Sequence, residues 1–144
     1  MHPKKFTEKL DETRIATAIG QAEQTTSGEI RVCVSRRDHG DALAAAQKRF
    51  LQLGMARTPQ RNAVLIFFAP RAQTFALWGD IGVHEKCSVE FWQTIATGIS
   101  PRLKAGQFAE AIEEAVRDVG EMLARHFPRD PSPRDRLPNT VVSD

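Results

Sequence analysis

Residues 61–80 read RNAVLIFFAPRAQTFALWGD, which is two apolar runs separated by a Pro-Arg-Ala link and followed by Gly-Asp. The first run, Ala63–Ala69, contains no polar residue. A strand with one face in water alternates polar and apolar residues, whereas a short apolar run bounded by turn signals is typical of a strand covered on both faces. This segment therefore predicts a central sheet with helices packed on both of its faces.

Helical spacing of apolar residues predicts four helices, and shorter apolar or alternating segments predict three strands. In chain order, the predicted elements are a helix at about 11–25, a strand at 29–35, a helix at 41–53, strands at 62–69 and 73–78, and helices at 88–99 and 107–127. Strands joined through a helix are parallel, and strands joined by a short link are antiparallel. The order α-β-α-β-β-α-α therefore predicts an α/β fold, a three-layer α/β/α sandwich with a small mixed sheet.

Three local patterns refine the predicted elements. In the first strand, Ile30, Val32 and Val34 alternate with more polar residues, which predicts one clearly buried face. The pair Ser100-Pro101 predicts the end of the third helix, because proline removes a helical donor. Two glycines make residues 79–87 a predicted loop.

The 144 residues, 41% hydrophobic and 26% charged, are typical of one globular domain. Residues 1–127 are expected to form it, and the Pro-rich residues 128–144 are expected to be a disordered tail. The net charge of +2 is too small for a strong nucleic-acid field, so no nucleic-acid partner is expected. The start lacks the apolar core of a signal peptide, and no window approaches the roughly 18 apolar residues of a membrane span. The prediction is a cytoplasmic protein without a membrane span of its own.

Four short segments carry a family resemblance. They are Thr-Ser-Gly-Glu-Ile at 26–30, Asn-Ala-Val-Leu-Ile at 62–66, Trp-Gly-Asp-Ile-Gly at 78–82 and Ser-Pro-Arg-Leu-Lys-Ala-Gly-Gln-Phe at 100–108. In this order the chain resembles the TPM domain family, which includes thylakoid-lumen proteins of photosystem repair and bacterial membrane-anchored proteins. The family's glycine after the asparagine is Ala63 here, and the segment after Gly82 departs from the family's glycine-rich loop.

The resemblance implies the same α/β/α sandwich that the apolar patterns predict. It also implies three kinds of function that relatives carry. These are a role as an accessory module in membrane-protein assembly or repair, binding of calcium or another divalent ion, and weak acid phosphatase activity.

The predicted topology brings three distant segments to one edge of the sheet. They are the starts of the first two strands, at Gly28 and Asn62, and the end of the third, at Asp80. Asparagine carbonyls and carboxylates are hard oxygen donors, which calcium and magnesium prefer. We therefore hypothesise a calcium or magnesium site with Asn62, Asp80 and Glu85 as ligands. The candidate ligand-binding positions around it are Gly28, Gly79 and Gly82. The alternative is ordinary turn chemistry, in which Asp80 stabilises a turn and Asn62 fixes a loop.

The opposite edge receives the loop at 36–41, RRDHGD, before the second helix. Parallel sheets bind ligands beyond the carboxyl ends of their strands, and a helix N-terminus attracts anions, so this loop could hold a phosphate. The alternative is that Asp41 caps the helix and that the arginines are solvated. A soft metal at His84 and Cys87 is a weaker hypothesis, because zinc needs three or four converging ligands.

Two functions from different classes remain open. The leading hypothesis is an accessory or interaction module that binds a divalent cation or a protein partner at the edge of Asn62 and Asp80. The alternative is a weak metal-dependent, phosphatase-like hydrolase in which Asp80 and Glu85 act as ligands or base. The sequence has no nucleophile elbow, no Walker A loop and no His-Glu-x-x-His motif, so no catalytic residue is assigned.

Overall fold

The structure is a computed structural model that describes residues 9–36, 40–70, 74–129 and 141–143. Within these residues the chain forms helices and strands connected by short segments. The helices are α1 (Lys9–Glu23), α2 (Ala42–Gln52), α3 (Ile81–His84), α4 (Val89–Lys104) and α5 (Phe108–His126). The strands are β1 (Glu29–Val34), β2 (Ala63–Ala69), β3 (Thr74–Gly79) and β4 (Val142–Ser143).

The described strands form one mixed sheet in the order β3-β2-β1-β4. β1 and β2 are parallel, with Glu29 opposite Ala63. β2 and β3 are antiparallel, with Val64 opposite Gly79. The mixed sheet predicted from the two kinds of strand connection is therefore confirmed.

β4 is an element that the sequence patterns do not predict. Its residue Val142 lies opposite Cys33, and the two strands run parallel. Residues 130–140, which make up most of the predicted disordered tail, lie outside the described residues.

Helices cover both faces of the sheet. Under α1, α4 and α5, the sheet contributes a continuous apolar layer formed by Ile30, Val32, Val34, Val64, Ile66 and Phe68. On the other face, Leu65 and Phe67 pack with Phe50 of α2. All seven residues of β2 are buried, as expected of a strand between two helical layers. The three-layer α/β/α sandwich is confirmed.

β1 is buried on both faces, so the prediction of one clearly buried face is wrong for this strand. Glu29 is 2% exposed and Arg31 is 9% exposed, although neither side chain is apolar. β1 lies between β2 and β4, and its second face belongs to the layer that α2 covers. Alternating hydrophobicity reports which face is apolar, and it does not report whether the polar face is covered.

α4 continues through Pro101, which lies inside the helix, so the predicted end at Ser100-Pro101 is wrong. Leu103, beyond the proline, is 5% exposed and packs in the main core, which favours the extra turn. The helix ends at Lys104, and Gly106, just past its end, has a φ of 77° in the left-handed region. There, the amide of Gln107 donates to the carbonyl of Arg102 at 2.8 Å.

The segment predicted as a loop at 79–87 is partly ordered into regular structure. Gly79 is the last residue of β3, and residues 81–84 form the single-turn helix α3. Asp80 is the N-cap of this helix, and its side chain accepts a hydrogen bond from the amide of Ile81. A one-turn helix is too short to produce an apolar period that sequence analysis can detect.

Within the described residues, no helix combines the length and the apolar character needed to cross a membrane.

Candidate functional site

The three segments predicted to meet at one edge of the sheet lie together. Asn62 Nδ2 donates to Ser27 Oγ at 3.3 Å, which joins the start of β2 to the start of β1. The amide of Asp80 donates to the carbonyl of Ala63 at 2.9 Å, which joins the end of β3 to the start of β2. We call this group the Asp80 edge, and it consists of Ser27, Gly28, Arg61, Asn62 and Asp80.

The backbone is unusually crowded where α3 meets the segment before β2. A Cβ atom at Gly82 would lie 2.6 Å from the carbonyl oxygen of Arg61 and closer still to that of Gln60. The amide of Gly82 donates to the same Arg61 carbonyl at 2.9 Å. Glycine at this position therefore lets α3 pack directly on the backbone that positions Arg61.

The other two candidate glycines also occupy close contacts. A Cβ atom at Gly28 would lie 2.9 Å from the side chain of Leu123 in α5. A Cβ atom at Gly79 would lie 3.1 Å from the side chain of Val83. Packing accounts for glycine at all three positions, and their predicted role in ligand binding stays a prediction.

Asp80 is held by a two-pronged ion pair with Arg61. Arg61 Nε lies 2.6 Å from Asp80 Oδ2, and Arg61 Nη2 lies 2.7 Å from Asp80 Oδ1. The Asp80 side chain is 6% exposed, whereas that of Arg61 is 49% exposed. Hydrogen bonding to the Asp80 carboxylate raises the pKa of the Arg61 guanidinium. The carboxylate is therefore buried but neutralised by a cation that reaches in from the surface.

Sequence reasoning places Arg61 at the start of the second strand, on this edge, but assigns it no role. Its φ of 51° is left-handed, a conformation that is uncommon for residues other than glycine and concentrates at functional sites. The antiparallel register that pairs Val64 with Gly79 brings the residues flanking β2 and β3 together, which places Arg61 within reach of Asp80. The register of the predicted hairpin was therefore the signal from which the contact between Arg61 and Asp80 could have been predicted.

Asn62 is fully buried and only partly satisfied. Its amide donates to Thr58 Oγ1 at 3.1 Å, and its side-chain Nδ2 donates to Ser27. Its Oδ1 atom is buried and has no hydrogen-bond partner among the described residues. A buried acceptor left without a donor costs about 1–3 kcal/mol. Asn62 therefore offers an unused hard oxygen at the Asp80 edge.

Glu85 lies at the other end of α3 from Asp80, and its predicted role as a ligand stays a prediction. It is an exposed residue at the C-terminal end of α3, whereas Asp80 caps the N-terminal end. Nowhere in the described residues do three or more His, Cys, Asp or Glu side chains come together as a metal-binding group. Asn62 and Asp80 both carry oxygen atoms at this edge, the Asp80 carboxylate is occupied by Arg61, and their predicted role as cation ligands stays a prediction.

His84 and Cys87, the pair considered for a soft metal, have other surroundings. The His84 ring lies 5.7 Å from that of Trp78 and 6.3 Å from that of Trp92, measured between centroids. Burial raises the pKa of the Cys87 thiol, which disfavours the thiolate that a metal requires. His84 therefore lies among aromatic rings, and Cys87 packs against the main core.

At the opposite edge, Asp41 is the N-cap of α2 and its Oδ1 accepts from the amide of Ala44 at 3.1 Å. Residues 37–39 of the candidate phosphate loop lie outside the described residues. The capping alternative for Asp41 is the one that the structure supports.

A groove of about 930 Å³ lies between α1 and α5, away from the Asp80 edge. At its floor the helices approach so closely that a Cβ atom at Gly120 would lie 2.8 Å from the Cβ of Ala22. Its wall carries ion pairs between the helices, such as Arg14 Nε with Glu113 Oε2 at 2.9 Å. Arg14, Glu113 and Arg117 of that wall pair with one another, and none of the predicted site residues lines the groove.

Comparison with known proteins decides the family. The sequence profile of the TPM domain matches residues 4–122. This chain belongs to the TPM domain family. The resemblance carried by the four short sequence segments is thereby confirmed, with Ala63 at the position of the family's glycine.

Two solved structures resemble this TPM domain. The BA42 protein of the psychrophilic bacterium Bizionia argentinensis is 34% identical over 99% of both chains, with a TM-score of 0.89. The N-terminal domain of the cg2496 protein of Corynebacterium glutamicum is 16% identical over 84% of this chain and 76% of that chain, with a TM-score of 0.65, which shows likeness of fold alone. A search of curated proteins finds no match to this chain.

Proposed function

We propose that this TPM domain is an accessory interaction module that binds a divalent cation, calcium or magnesium, at the Asp80 edge. The observation that carries the proposal is Asn62 Oδ1, a buried hard oxygen that has no hydrogen-bond partner among the described residues. The Asp80 carboxylate supplies a second hard oxygen at the same edge, and divalent cations of this class take such oxygens as ligands. A bound cation would satisfy the acceptor that the protein leaves unsatisfied.

Arg61 occupies the position that the cation would take on Asp80. The guanidinium and the cation compete for one carboxylate, so binding requires the arginine to swing away. Its side chain is 49% exposed, which leaves it room to move into water. Glu85, exposed at the end of α3, would complete the ligand set from the surface. A site with few protein ligands and an internal competitor predicts weak binding, with a Kd of about 0.1–1 mM.

The interaction role is supported by the surface beside this edge. Ile81 directly follows Asp80 and is 55% exposed, one of several large apolar side chains that the described residues leave exposed. An exposed apolar residue beside a charged group is a surface that a protein partner can bury. A cation that displaces Arg61 from the Asp80 carboxylate would therefore change the surface that this partner contacts.

The test is a titration with calcium and with magnesium, followed by amide chemical shifts and by the melting temperature. We expect saturable shifts at Asn62 and Asp80 in the wild-type protein and none in Asp80→Asn. Arg61→Gln removes the competitor, so it should lower the Kd several-fold. Arg57→Gln removes an exposed arginine from the preceding turn and should leave the Kd unchanged. If Arg61→Gln binds neither ion at 10 mM or more, the cation proposal is wrong.

The hydrolase alternative rests on the family resemblance and would use the same cation to polarise a phosphoryl oxygen and activate water. Hydrolysis of p-nitrophenyl phosphate by the wild-type protein separates the two. Turnover that needs the cation and disappears in Asp80→Asn would support the hydrolase. Cation binding without turnover would support the binding module.

A further inference from the structure

The face of β1 that lies under the α2 layer buries positive charge. Side chains alternate along a strand, and since Val32 packs in the core of α1, α4 and α5 while Cys33 packs in the core of α2, Arg31 lies on the α2 side. Arg31 is 9% exposed. Burial lowers the pKa of its guanidinium, as expected when a charged group loses its water.

Two arginine donors on this side of the sheet are unused. Arg31 Nε is buried and has no hydrogen-bond partner among the described residues, and the same holds for Arg49 Nε. Arg49 lies on α2 immediately before Phe50, which packs in the same core. Its Nη1 donates to Gln52 Oε1 at 3.3 Å, which leaves the Nε edge of the guanidinium unoccupied. Buried polar groups in proteins are almost always paired, so two such donors facing one layer require an explanation.

The two arginines also repel each other. The charge of Arg49 lowers the pKa of Arg31, in addition to the larger effect of burial. Cys33 and Glu29 act in the opposite direction, and Glu29 contributes one negative charge on the same face of β1. Among the described residues, two guanidinium groups and one carboxylate leave an excess of positive charge here, and the Arg31 guanidinium is largely removed from water. A buried charge without a partner is strongly unfavourable, and a bound anion would relieve it.

We propose that Arg31 and Arg49 form a binding site for a small oxyanion of the phosphate class between β1 and α2. The two donors belong to different elements, Arg31 to the strand β1 and Arg49 to the helix α2. A planar carboxylate has two oxygens and matches one guanidinium fork. A tetrahedral phosphate has enough oxygens to accept from both. This site differs from the Asp80 edge in its residues and in the sign of its ligand, so it stands independently of the proposed cation site.

The site is tested with inorganic phosphate at pH 7 and constant ionic strength, below 20 mM, where general salt effects on stability are small. The direct readout is the side-chain Nε–H signals of the ¹³C,¹⁵N-labelled protein, assigned through the bonds of each arginine side chain and checked in Arg31→Met and Arg49→Met. We expect both signals to shift saturably in the wild-type protein. We also expect the melting temperature to rise by about 3–6 °C at a phosphate concentration ten times the Kd.

Arg31→Met should lose the phosphate-dependent rise, whatever its own melting temperature. Lys48→Met removes an exposed cation from α2, the helix of Arg49, and should keep the full phosphate-dependent rise in melting temperature. If the methionine variants fail to fold, the wild-type Nε–H response alone decides the question. Nε–H signals that do not move, or a rise of equal size in wild type and Arg31→Met, would overturn the proposal.

Two further ligands define the chemistry of the site. Acetate that shifts the signals as strongly as phosphate would overturn the phosphate class in favour of carboxylates. Phenyl phosphate distinguishes the source of the group. Equal shifts with phenyl phosphate and phosphate would assign a phosphate monoester, and shifts with inorganic phosphate alone would assign the free ion.

Discussion

Replacing Gly82 by alanine should destabilise the protein strongly, whereas the same replacement at Gly98 should stabilise it. Both glycines lie in helices, Gly82 in α3 and Gly98 on the exposed face of α4. A Cβ atom at Gly98 has no heavy atom within 4 Å outside its own helical turn, whereas at Gly82 it would lie 2.6 Å from the carbonyl oxygen of Arg61. Both positions therefore lie in helices, and they differ in the room that is available for a methyl group.

The magnitudes follow from the contacts that each methyl group would make. Alanine in place of an exposed helical glycine gains about 0.5–1 kcal/mol, which is the expectation at Gly98. At Gly82 the same gain is opposed by contact with rigid backbone, for which overpacking costs about 1–3 kcal/mol. Moving α3 away would also lengthen the bond from the Gly82 amide to the Arg61 carbonyl, now 2.9 Å, and lose about 1 kcal/mol more. The net expectation for Gly82→Ala is a loss of about 1–3.5 kcal/mol.

Urea unfolding followed by far-UV circular dichroism measures both free energies of unfolding on the same scale. Amide shifts of Arg61 and Asp80 in Gly82→Ala should also move, because the clash lies at the backbone that positions the ion pair. If Gly82→Ala unfolds with a free energy within 0.5 kcal/mol of the wild-type value, α3 does not pack on residues 60–61 as described. A destabilised Gly98→Ala would refute the assignment of an open position there.

Two further outcomes are expected from single substitutions. Burial, together with the charges of Glu114 and Glu121, raises the pKa of Asp118. The ionised carboxylate therefore destabilises the folded state above that pKa, and the effect vanishes below the pKa of the unfolded state, about 3.9. Asp118→Asn should therefore raise the free energy of unfolding at pH 7 and not at pH 3.5, and an equal gain at both pH values in chemical denaturation would contradict this reasoning. Pro101→Ala restores a backbone donor inside α4 and should stabilise the fold by about 1–2 kcal/mol, as measured by urea unfolding with Gly98→Ala as a reference in the same helix. A loss of stability in Pro101→Ala would show that the ring of Pro101 packs favourably.

The parts of the fold that sequence patterns predict are those dominated by apolar burial. β2 has an uninterrupted apolar run because helices cover both of its faces, and the run is visible without a structure. The stripe of α5 is equally clear, since residues such as Phe108, Ile112 and Leu123 recur at helical spacing and are all buried. Strand orientation followed from connection type, and it was enough to bring Gly28, Asn62 and Asp80 to one edge.

The parts that patterns miss depend on contacts between distant segments. Pro101 is a local stop signal, but burial of Leu103 in the core carries α4 past it. Arg61 looks like an ordinary surface residue until the hairpin register places it against Asp80. Arg31 looks like the solvent-facing residue of a one-sided strand, because sequence alone does not tell that the second face of β1 is covered.

Both proposed sites rest on the requirement that buried polar atoms find hydrogen-bond partners or ligands. The atom concerned is an acceptor at one site, and the atoms are donors at the other. At the Asp80 edge the unsatisfied atom is an acceptor, Asn62 Oδ1, and the nearby Asp80 carboxylate is already neutralised by Arg61. On the α2 side of the sheet the atoms that the proposed site uses are donors, Arg31 Nε and Arg49 Nε, so no cation can satisfy them. Because no residue is shared, a substitution at Asp80 should leave phosphate binding intact and a substitution at Arg31 should leave cation binding intact. The proposed cation site and the proposed phosphate site can therefore be tested separately, and the failure of one leaves the other standing.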